Sequence, residues 1–174
     1  MNKRNIVLIV VLVNIILGAS IVTLYFTVFN QNGAPEEWTL TLKGDIEQEV
    51  ILKIDDLYHM PNITRDYIVQ GNPTFTAEYT GVSLYYLVTQ KANITTAATI
   101  KVKSIDQYSN TLTLDEINAT RDIIIAFKKN GENITHHSDG GEGPLRLIIP
   151  QKFEGDYNGQ YCVKFVAEIE IKLI

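Results

Sequence analysis

Few residues of this chain have the types and spacing that chemistry requires. The tract from His136 to Asp139 brings together two imidazoles, a hydroxyl and a carboxylate, which are groups able to bind a metal. Neighbouring residues of a regular element point in different directions, so this loop would have to fold back on itself for them to converge. A solvated loop is the favoured interpretation of the tract, and a haem or other redox metal at His136 and His137 is a third functional hypothesis.

The remaining reactive residue types have ordinary interpretations. Asp55 and Asp56 indicate the start of a short helix rather than a catalytic pair, because carboxylates stabilise the first turn. Cys162 is the only cysteine, so the chain has no intramolecular disulfide, and a small apolar residue on a strand is preferred to a reactive thiol. The sequence shows neither a Gly-rich phosphate loop of standard spacing nor a Ser-His-Asp set that sequence order can place.

The charge balance excludes some classes of partner. The 174 residues include 15 Lys and Arg against 20 Asp and Glu, for a formal net charge of −5. Lys3 and Arg4 are the only charged residues before position 31, so the rest of the chain carries 13 basic and 20 acidic residues. We therefore expect no binding of nucleic acid and no binding of an anionic membrane surface by this acidic part.

An uncharged segment near the N-terminus predicts a membrane anchor. Ile6 to Phe29 is free of charge, and as a helix it would span roughly 36 Å, enough to cross a hydrocarbon core of roughly 30 Å. Lys3 and Arg4 precede it, which predicts a cytoplasmic N-terminus and an extracytoplasmic domain. A cleavable signal peptide is the alternative, but its apolar stretch would be shorter. The prediction divides the chain into a cytoplasmic N-terminus (1–5), a single transmembrane signal anchor (6–29), a linker (30–36) and a domain (37–174).

Four glycosylation triplets agree with this topology. Each has the Asn-x-Thr pattern of a glycan acceptor and falls at a predicted turn of the exported domain. We therefore predict a glycoprotein on the extracytoplasmic side of the cell membrane, with these acceptors: Asn62, Asn93, Asn118 and Asn133.

Hydrophobic patterns predict the elements that must position any site. Trp38 to Leu42 and Val50 to Ile54 alternate apolar and polar residues, which indicates a hairpin of half-buried strands. Ile123 to Ile125 is continuously apolar, as in a strand buried on both faces. Short helices are predicted at 55–58, 84–90 and 115–119, and the last strands at 145–149 and 163–171. The fold class is α+β, mixed and mainly β with short helices, preceded by one N-terminal transmembrane helix.

Seven segments occur in an order that is familiar from one family. They are Trp38 to Gly44, Asp56 to Pro61, Tyr79 to Leu87, Ser104 to Tyr108, Ile123 to Glu132, Gly143 to Pro150, and Tyr161 to Val166 followed by Ile169. Gly-Pro-Leu-Arg-Leu-Ile-Ile-Pro at 143–150 and Ser-Ile-Asp-Gln-Tyr at 104–108 are similar to that family's Gly-Pro-Leu-Arg-Leu-Val-Val-Pro and Ser-x-Asp-Gly-Tyr. Together the segments resemble the oxidoreductase molybdopterin-binding domain of the sulfite oxidase family, and the match runs from Trp38 to the C-terminus.

The resemblance implies a fold, a cofactor and three binding residues. The cofactor is a pyranopterin (molybdopterin), and the matching positions are Asp106, Arg146 and Lys164. An arginine offers a two-pronged donor for phosphate, a lysine offers a point charge, and an aspartate accepts pterin N–H groups. Ordinary roles for the same residues, as a turn residue, an ion-pair partner and a solvated charge, are the alternative.

Two departures from the family bear on catalysis. The resemblance places a metal-ligating cysteine at position 69, where this chain has Val69, which cannot bind molybdenum. It places a cofactor-facing histidine at position 141, where this chain has Gly141, with His136 and His137 just upstream. Cys162 lies far along the chain from the expected ligand position, and its approach to the site in the folded chain is an alternative that the sequence leaves open. Molybdenum is therefore not expected at the family's position, and no catalytic or metal-binding residue is assigned.

Two functions of different class follow. The first is a membrane-anchored extracytoplasmic oxidoreductase-type domain, degenerate at the metal site, that binds a pterin-type cofactor or acts as a subunit beside a redox partner protein. The second is a glycosylated surface or protein-interaction module without cofactor. Convergence of Asp106, Arg146 and Lys164 on a concave polar pocket would favour the first, and their dispersal would favour the second.

Overall fold

A computed structural model describes residues 38–118 and 122–174. The predicted anchor at 6–29 and the linker lie outside these residues, so both remain predictions. Within the part of the chain that is described, no helix has the length and hydropathy needed to cross a membrane.

Ten strands and a few short helical segments are found in the described residues. The strands are β1 (Thr39–Gly44), β2 (Val50–Lys53), β3 (Asn62–Val69), β4 (Phe75–Ser83), β5 (Ala98–Ser104), β6 (Ser109–Thr113), β7 (Ile124–Lys129), β8 (Glu132–Asn133), β9 (Arg146–Ile148) and β10 (Val166–Leu173). The helical segments are α1 (Ile54–Tyr58), α2 (Leu84–Tyr86), a π-helical turn (Leu87–Lys91) and two 3₁₀ turns (His137–Asp139 and Asn158–Tyr161). The prediction of a mainly β domain with short helices is confirmed.

The first sheet joins both ends of the described chain. Its strand order is β2-β1-β10-β5-β6, with β1 and β10 parallel and the other pairs antiparallel. The predicted hairpin forms as β1 and β2, and Leu40 and Leu42 are fully buried at alternate positions of β1. Because β10 and β5 are antiparallel, the start of β10 lies beside the end of β5. The candidate site is found there.

The second sheet contains the strand that was expected to be buried on both faces. Its order is β3-β4-β7-β8, and β9 also pairs with β7. Ile125 and Phe127 of β7 pack into the larger of two hydrophobic clusters, whereas Ile124 and Ala126 pack into the other. The continuous apolar run is therefore explained by apolar contacts on both sides of the sheet.

The predicted helices are confirmed at two of three positions. Leu84 and Leu87 are buried in α2 and the π-helical turn that continues it. Asp55 and Asp56 lie in the first turn of α1 as expected, and Asp56 also caps the helix by accepting a hydrogen bond from the Lys53 amide at 2.8 Å. The prediction of a short helix at 115–119 is wrong for its described part, which is a turn. The carboxylate of Glu116 accepts a hydrogen bond of 3.0 Å from the Thr113 amide, which stabilises this turn.

Candidate functional site

A concave pocket lined by both polar and apolar groups lies where β5 ends and β10 begins, and we call it the β5–β10 pocket. Its volume is about 230 Å³, below the roughly 300–1,000 Å³ of a site that encloses a small molecule. The pocket is therefore large enough for part of such a molecule but not for all of it. The residues that line it are Asp106, Tyr108, Gly159, Cys162, Lys164 and Phe165.

Asp106 sits in the turn that leads from β5 to β6. Its carboxylate accepts hydrogen bonds from the Ser104 hydroxyl and, at 3.0 Å, from the Tyr108 amide. The Ser104 hydrogen bond is the main reason why the pKa of Asp106 lies below its ordinary value, so the group is an anion at neutral pH. Gln107, next to it, has φ +72°, a conformation that favours the glycine of the family's Ser-x-Asp-Gly-Tyr segment.

Lys164 and Cys162 approach the pocket from the segment that precedes β10. The Lys164 side chain is half exposed, and its Nζ lies 2.8 Å from Oε1 of Glu142. Cys162 is 6% exposed, and its Sγ accepts a long hydrogen bond of 3.5 Å from the Ile149 amide. Burial raises the pKa of the Cys162 thiol, which keeps it protonated at neutral pH.

Arg146, on β9, is buried rather than directed into this pocket. It is 3% exposed, and its Nη1 donates to a Glu142 carboxylate oxygen and, at 3.3 Å, to the Tyr79 hydroxyl. Burial raises the pKa of Tyr79 to about 12, so the phenol stays neutral beside the guanidinium. Of the three residues implied by the resemblance, Asp106 and Lys164 line one pocket, and Arg146 is joined to Lys164 only through Glu142.

Asn158 fixes the wall of the pocket, which is the turn that contains Gly159. No sequence pattern pointed to this role of Asn158. It is fully buried; its Oδ1 accepts from the Gln70 amide at 2.8 Å, and its Nδ2 donates to the carbonyls of Ile68 and Ile149 at 2.9 and 2.7 Å. These bonds tie the end of β3 to the turn that contains Gly159. A lone asparagine in a loop gives no signal of such a role.

Val69, at the end of β3, lies next to this wall. It is 3% exposed, and a Cβ built on Gly159 would lie 3.4 Å from Val69 Cγ1 and 2.6 Å from the Gln70 carbonyl oxygen. Valine offers no ligand atom, and the described residues contain no cluster of three or more His, Cys, Asp or Glu able to hold a metal ion. The acceptor Asp106 and the donor Lys164 of the β5–β10 pocket thus match the polar edges of a pterin. Val69, by contrast, has no atom that can bind a metal.

Position 141, where the resemblance places a histidine, has no room for a side chain in this structure. A Cβ on Gly141 would lie 2.0 Å from the Thr135 carbonyl oxygen, so the local backbone leaves no space for a side chain. His136 and His137 instead pack their rings against Trp38, with centroids 5.1 and 5.5 Å away. His137 also lies 5.9 Å, centroid to centroid, from Phe165 of the pocket. Both imidazoles belong to an aromatic cluster.

The four glycosylation triplets present their asparagines to solvent. Asn62 begins β3, Asn93 follows the π-helical turn with φ +55°, and Asn133 belongs to the short strand β8. Asn118 is exposed at the end of the turn that follows β6. All four asparagines are therefore accessible to solvent, as a glycan acceptor must be.

Comparisons with known proteins give a family match and a similar solved structure. The model of the oxidoreductase molybdopterin binding domain matches residues 27–173. The chain is similar to the crystal structure of the sulfane dehydrogenase SoxCD from Paracoccus pantotrophus, with a TM-score of 0.62 and 18% sequence identity. This match covers 77% of the present chain and 38% of that chain, and at such identity it shows the fold alone. No curated protein matches. Because the family match spans well over half of its length, the chain belongs to the oxidoreductase molybdopterin binding domain family.

Proposed function

We propose that this domain holds a pterin-type cofactor in the β5–β10 pocket and that the chain serves as a membrane-anchored, extracytoplasmic subunit beside a redox partner protein. The observation that carries the proposal is that Asp106 and Lys164, 58 positions apart by their numbers, line one concave surface. Asp106 supplies an anionic acceptor for pterin N–H groups, and Lys164 supplies a cationic donor. Such a cofactor, when bound, would supply electron-transfer chemistry, whereas oxygen-atom transfer would require molybdenum, for which Val69 provides no ligand.

The residues of the chain bind and orient the ligand. The hydrogen bonds from Ser104 and Tyr108 fix the Asp106 carboxylate, so little rotamer entropy remains to be lost on binding. The thiol of Cys162 and the ring of Phe165 give the pocket an apolar part against which a flat heterocycle can pack. The pocket is open to solvent, which leaves the bound group accessible to a partner protein.

Removal of either polar group from the pocket is expected to reduce the amount of pterin that co-purifies with the chain. Each of Asp106→Ala and Lys164→Ala removes a charge-assisted hydrogen bond, which predicts a loss of affinity of roughly tenfold or more. The measurement is the fluorescence of oxidised pterin released from purified full-length chain made in a host that produces and exports the cofactor.

The matched controls for this experiment are two exposed residues outside the pocket. Asp55→Ala and Lys172→Ala remove the same kinds of charge, and neither residue lines the β5–β10 pocket. Equal pterin content in all four variants and the parent chain would contradict the proposal and would favour a cofactor-free interaction module.

A thiolate placed at position 69 is expected to increase retention of molybdenum. Val69→Cys fits the space because cysteine is smaller than valine, and a soft thiolate is the type of ligand that Val69 lacks. We expect the molybdenum-to-protein ratio, measured by elemental analysis, to rise on the order of tenfold. Val69→Ser, of similar size without the thiolate, is the control. If Val69→Cys retains no more metal than Val69→Ser, position 69 is not the ligand position in this chain.

The membrane anchor is proposed on the sequence pattern, and the exposed glycosylation triplets support it. Residues 6–29 anchor the chain and residues 37–174 face away from the cytoplasm, where glycans at Asn62, Asn93, Asn118 and Asn133 would be added. Recovery of the chain in the membrane fraction, with sensitivity of the domain to protease added outside intact cells, would support this arrangement.

A further inference from the structure

Two residues of unsuitable type have a left-handed backbone conformation. Among the residues that the structure describes, the residues other than glycine with a positive φ are Asn93, Gln107, Asn130 and Phe165. This conformation brings Cβ too close to the following carbonyl oxygen, so most residue types avoid it. Asparagine tolerates it, because its short side chain can form local hydrogen bonds. Glutamine and phenylalanine lack this compensation, so the backbone is strained at Gln107 and Phe165.

Both strained residues border the β5–β10 pocket. Phe165 lines it, with φ +54°. Gln107, with φ +72°, lies in the chain between Asp106 and Tyr108, which both line it. Strained conformations persist where the surrounding structure imposes them, and they cluster at sites that hold ligands. Their position at one pocket therefore indicates a role for the two side chains in binding.

Main-chain hydrogen bonds impose the conformation of both residues. The Gln107 amide donates to the Ser104 carbonyl at 3.2 Å. The Phe165 amide donates to the Glu142 carbonyl at 3.3 Å, and the Phe165 carbonyl accepts from the Ile105 amide at 3.1 Å. These bonds hold the turn after β5 against the segment before β10. A glycine at either position would make the same bonds without the strain.

The fold gives little reason for the two side chains themselves. Gln107 is exposed, so its carboxamide contributes little to packing. Phe165 is half-buried, and its ring lies 5.9 Å, centroid to centroid, from the ring of His137, which is itself exposed. The strain at these positions is therefore not offset by burial in either hydrophobic cluster.

We propose that Phe165 and Gln107 contact the ligand of the β5–β10 pocket, the first as a platform on which a flat heterocycle stacks and the second as a hydrogen-bonding group at the mouth. The pocket of about 230 Å³ holds only part of such a ligand, so the remainder extends over the mouth, where Gln107 lies. A glutamine carboxamide offers a donor and an acceptor side by side, which match the amide edge of a pterin.

The contact with Gln107 is a property of this chain rather than of its family. The family's Ser-x-Asp-Gly-Tyr segment has glycine at this position, and glycine has no side chain to offer a ligand. The inference rests on the function proposed above, because the heterocycle is the pterin-type group of that proposal. It adds the residues that distinguish a flat, amide-bearing ligand from other anions or cations of similar size.

Replacement by glycine is expected to separate stability from binding. Gln107→Gly should raise the unfolding temperature of the full-length chain by about 2–4 °C, because the relief of strain exceeds the entropy cost of glycine. The same variant should lose bound pterin roughly threefold to tenfold faster after dilution, since one hydrogen bond is missing. The measurement is the fluorescence of oxidised pterin from the fraction that remains bound at timed intervals.

The ring of Phe165 is tested by three replacements. Phe165→Gly should lose pterin roughly tenfold faster than the parent chain, because the stacking platform is gone. Phe165→Tyr keeps the ring and should lose pterin at the parent rate. Should Phe165→Gly fail to fold, Phe165→Asn removes the ring with a residue type that tolerates the left-handed conformation, and the same acceleration is expected.

Asn130→Gly is the matched control, because Asn130 has φ +53° but does not line the β5–β10 pocket. This variant should lose pterin at the parent rate. Equal rates in the parent chain, Gln107→Gly and the Phe165 variants without a ring would overturn the inference and leave the proposed function standing. A lower unfolding temperature of Gln107→Gly would also overturn it, because the side chain would then serve the fold. A folded parent chain without pterin would overturn both proposals.

Discussion

Asn158→Ala is expected to lower the free energy of unfolding by about 3–5 kcal/mol, because it leaves one buried and two partly buried backbone groups without their partners, at up to roughly 1–3 kcal/mol each before any relaxation. These groups are the Gln70 amide and the carbonyls of Ile68 and Ile149, all within 2.9 Å of the Asn158 side chain. The variant should also lose ligand retention, since the same bonds hold the end of β3 against the wall of the β5–β10 pocket.

The loss is measured by chemical denaturation and compared with that of Asn110→Ala. Asn110 is the same residue type at a more exposed position, where its Nδ2 donates one hydrogen bond of 3.1 Å to the Tyr161 carbonyl. We expect Asn110→Ala to cost about 1 kcal/mol or less. Similar losses in the two variants would show that Asn158 does not hold these segments together.

Gly44→Ala is expected to cost about 3–5 kcal/mol, through backbone conformation and close packing together. Gly44 has φ +110°, which disfavours any side chain, and a Cβ there would lie 2.0 Å from the carbonyl oxygen of Ile171. That oxygen accepts the amide of Asp45 at 2.8 Å, at the end of the parallel pairing between β1 and β10. To make room for the methyl group of alanine, β1 and β10 must therefore move apart where they pair.

Gly140→Ala separates the two contributions. Gly140 has φ +76° but open space around the position of a Cβ, so its replacement carries the conformational cost alone, about 1–2 kcal/mol. Thermal and denaturant unfolding of both variants give the difference. If Gly44→Ala is no more destabilised than Gly140→Ala, the close approach to Ile171 does not limit the fold.

Much of the fold could be predicted because local patterns and tertiary packing agree. The alternation of Leu40 and Leu42 matches the half-buried β1, and the apolar run of β7 matches burial on both faces. The turn at 115–118 could not be distinguished from a helix, because Thr113 and Glu116 form the reciprocal hydrogen bonds of a capping box, which is also how helices begin. Apolar spacing does not say whether such a capped turn continues as a helix.

The candidate site was only partly accessible to sequence reasoning. Motif order pointed to Asp106 and Lys164, which lie together because β5 and β10 are neighbours. Glu142 and Asn158 were missed, since their importance depends on partners that the fold brings from distant segments. Asn158, for example, bonds residues 88 and 90 positions away. Arg146 matched a motif, yet its burial and its pairing with Glu142 appear only in three dimensions.

The central claim, that this family member holds a pterin, is tested most directly by analysing the full-length chain from a host that makes and exports the cofactor. Released pterin is measured by fluorescence and molybdenum by elemental analysis on the same folded sample. The account predicts pterin in stoichiometric amount, with molybdenum well below it because Val69 provides no thiolate. A folded sample without pterin would contradict the claim, and stoichiometric molybdenum would contradict the assignment of a degenerate metal site.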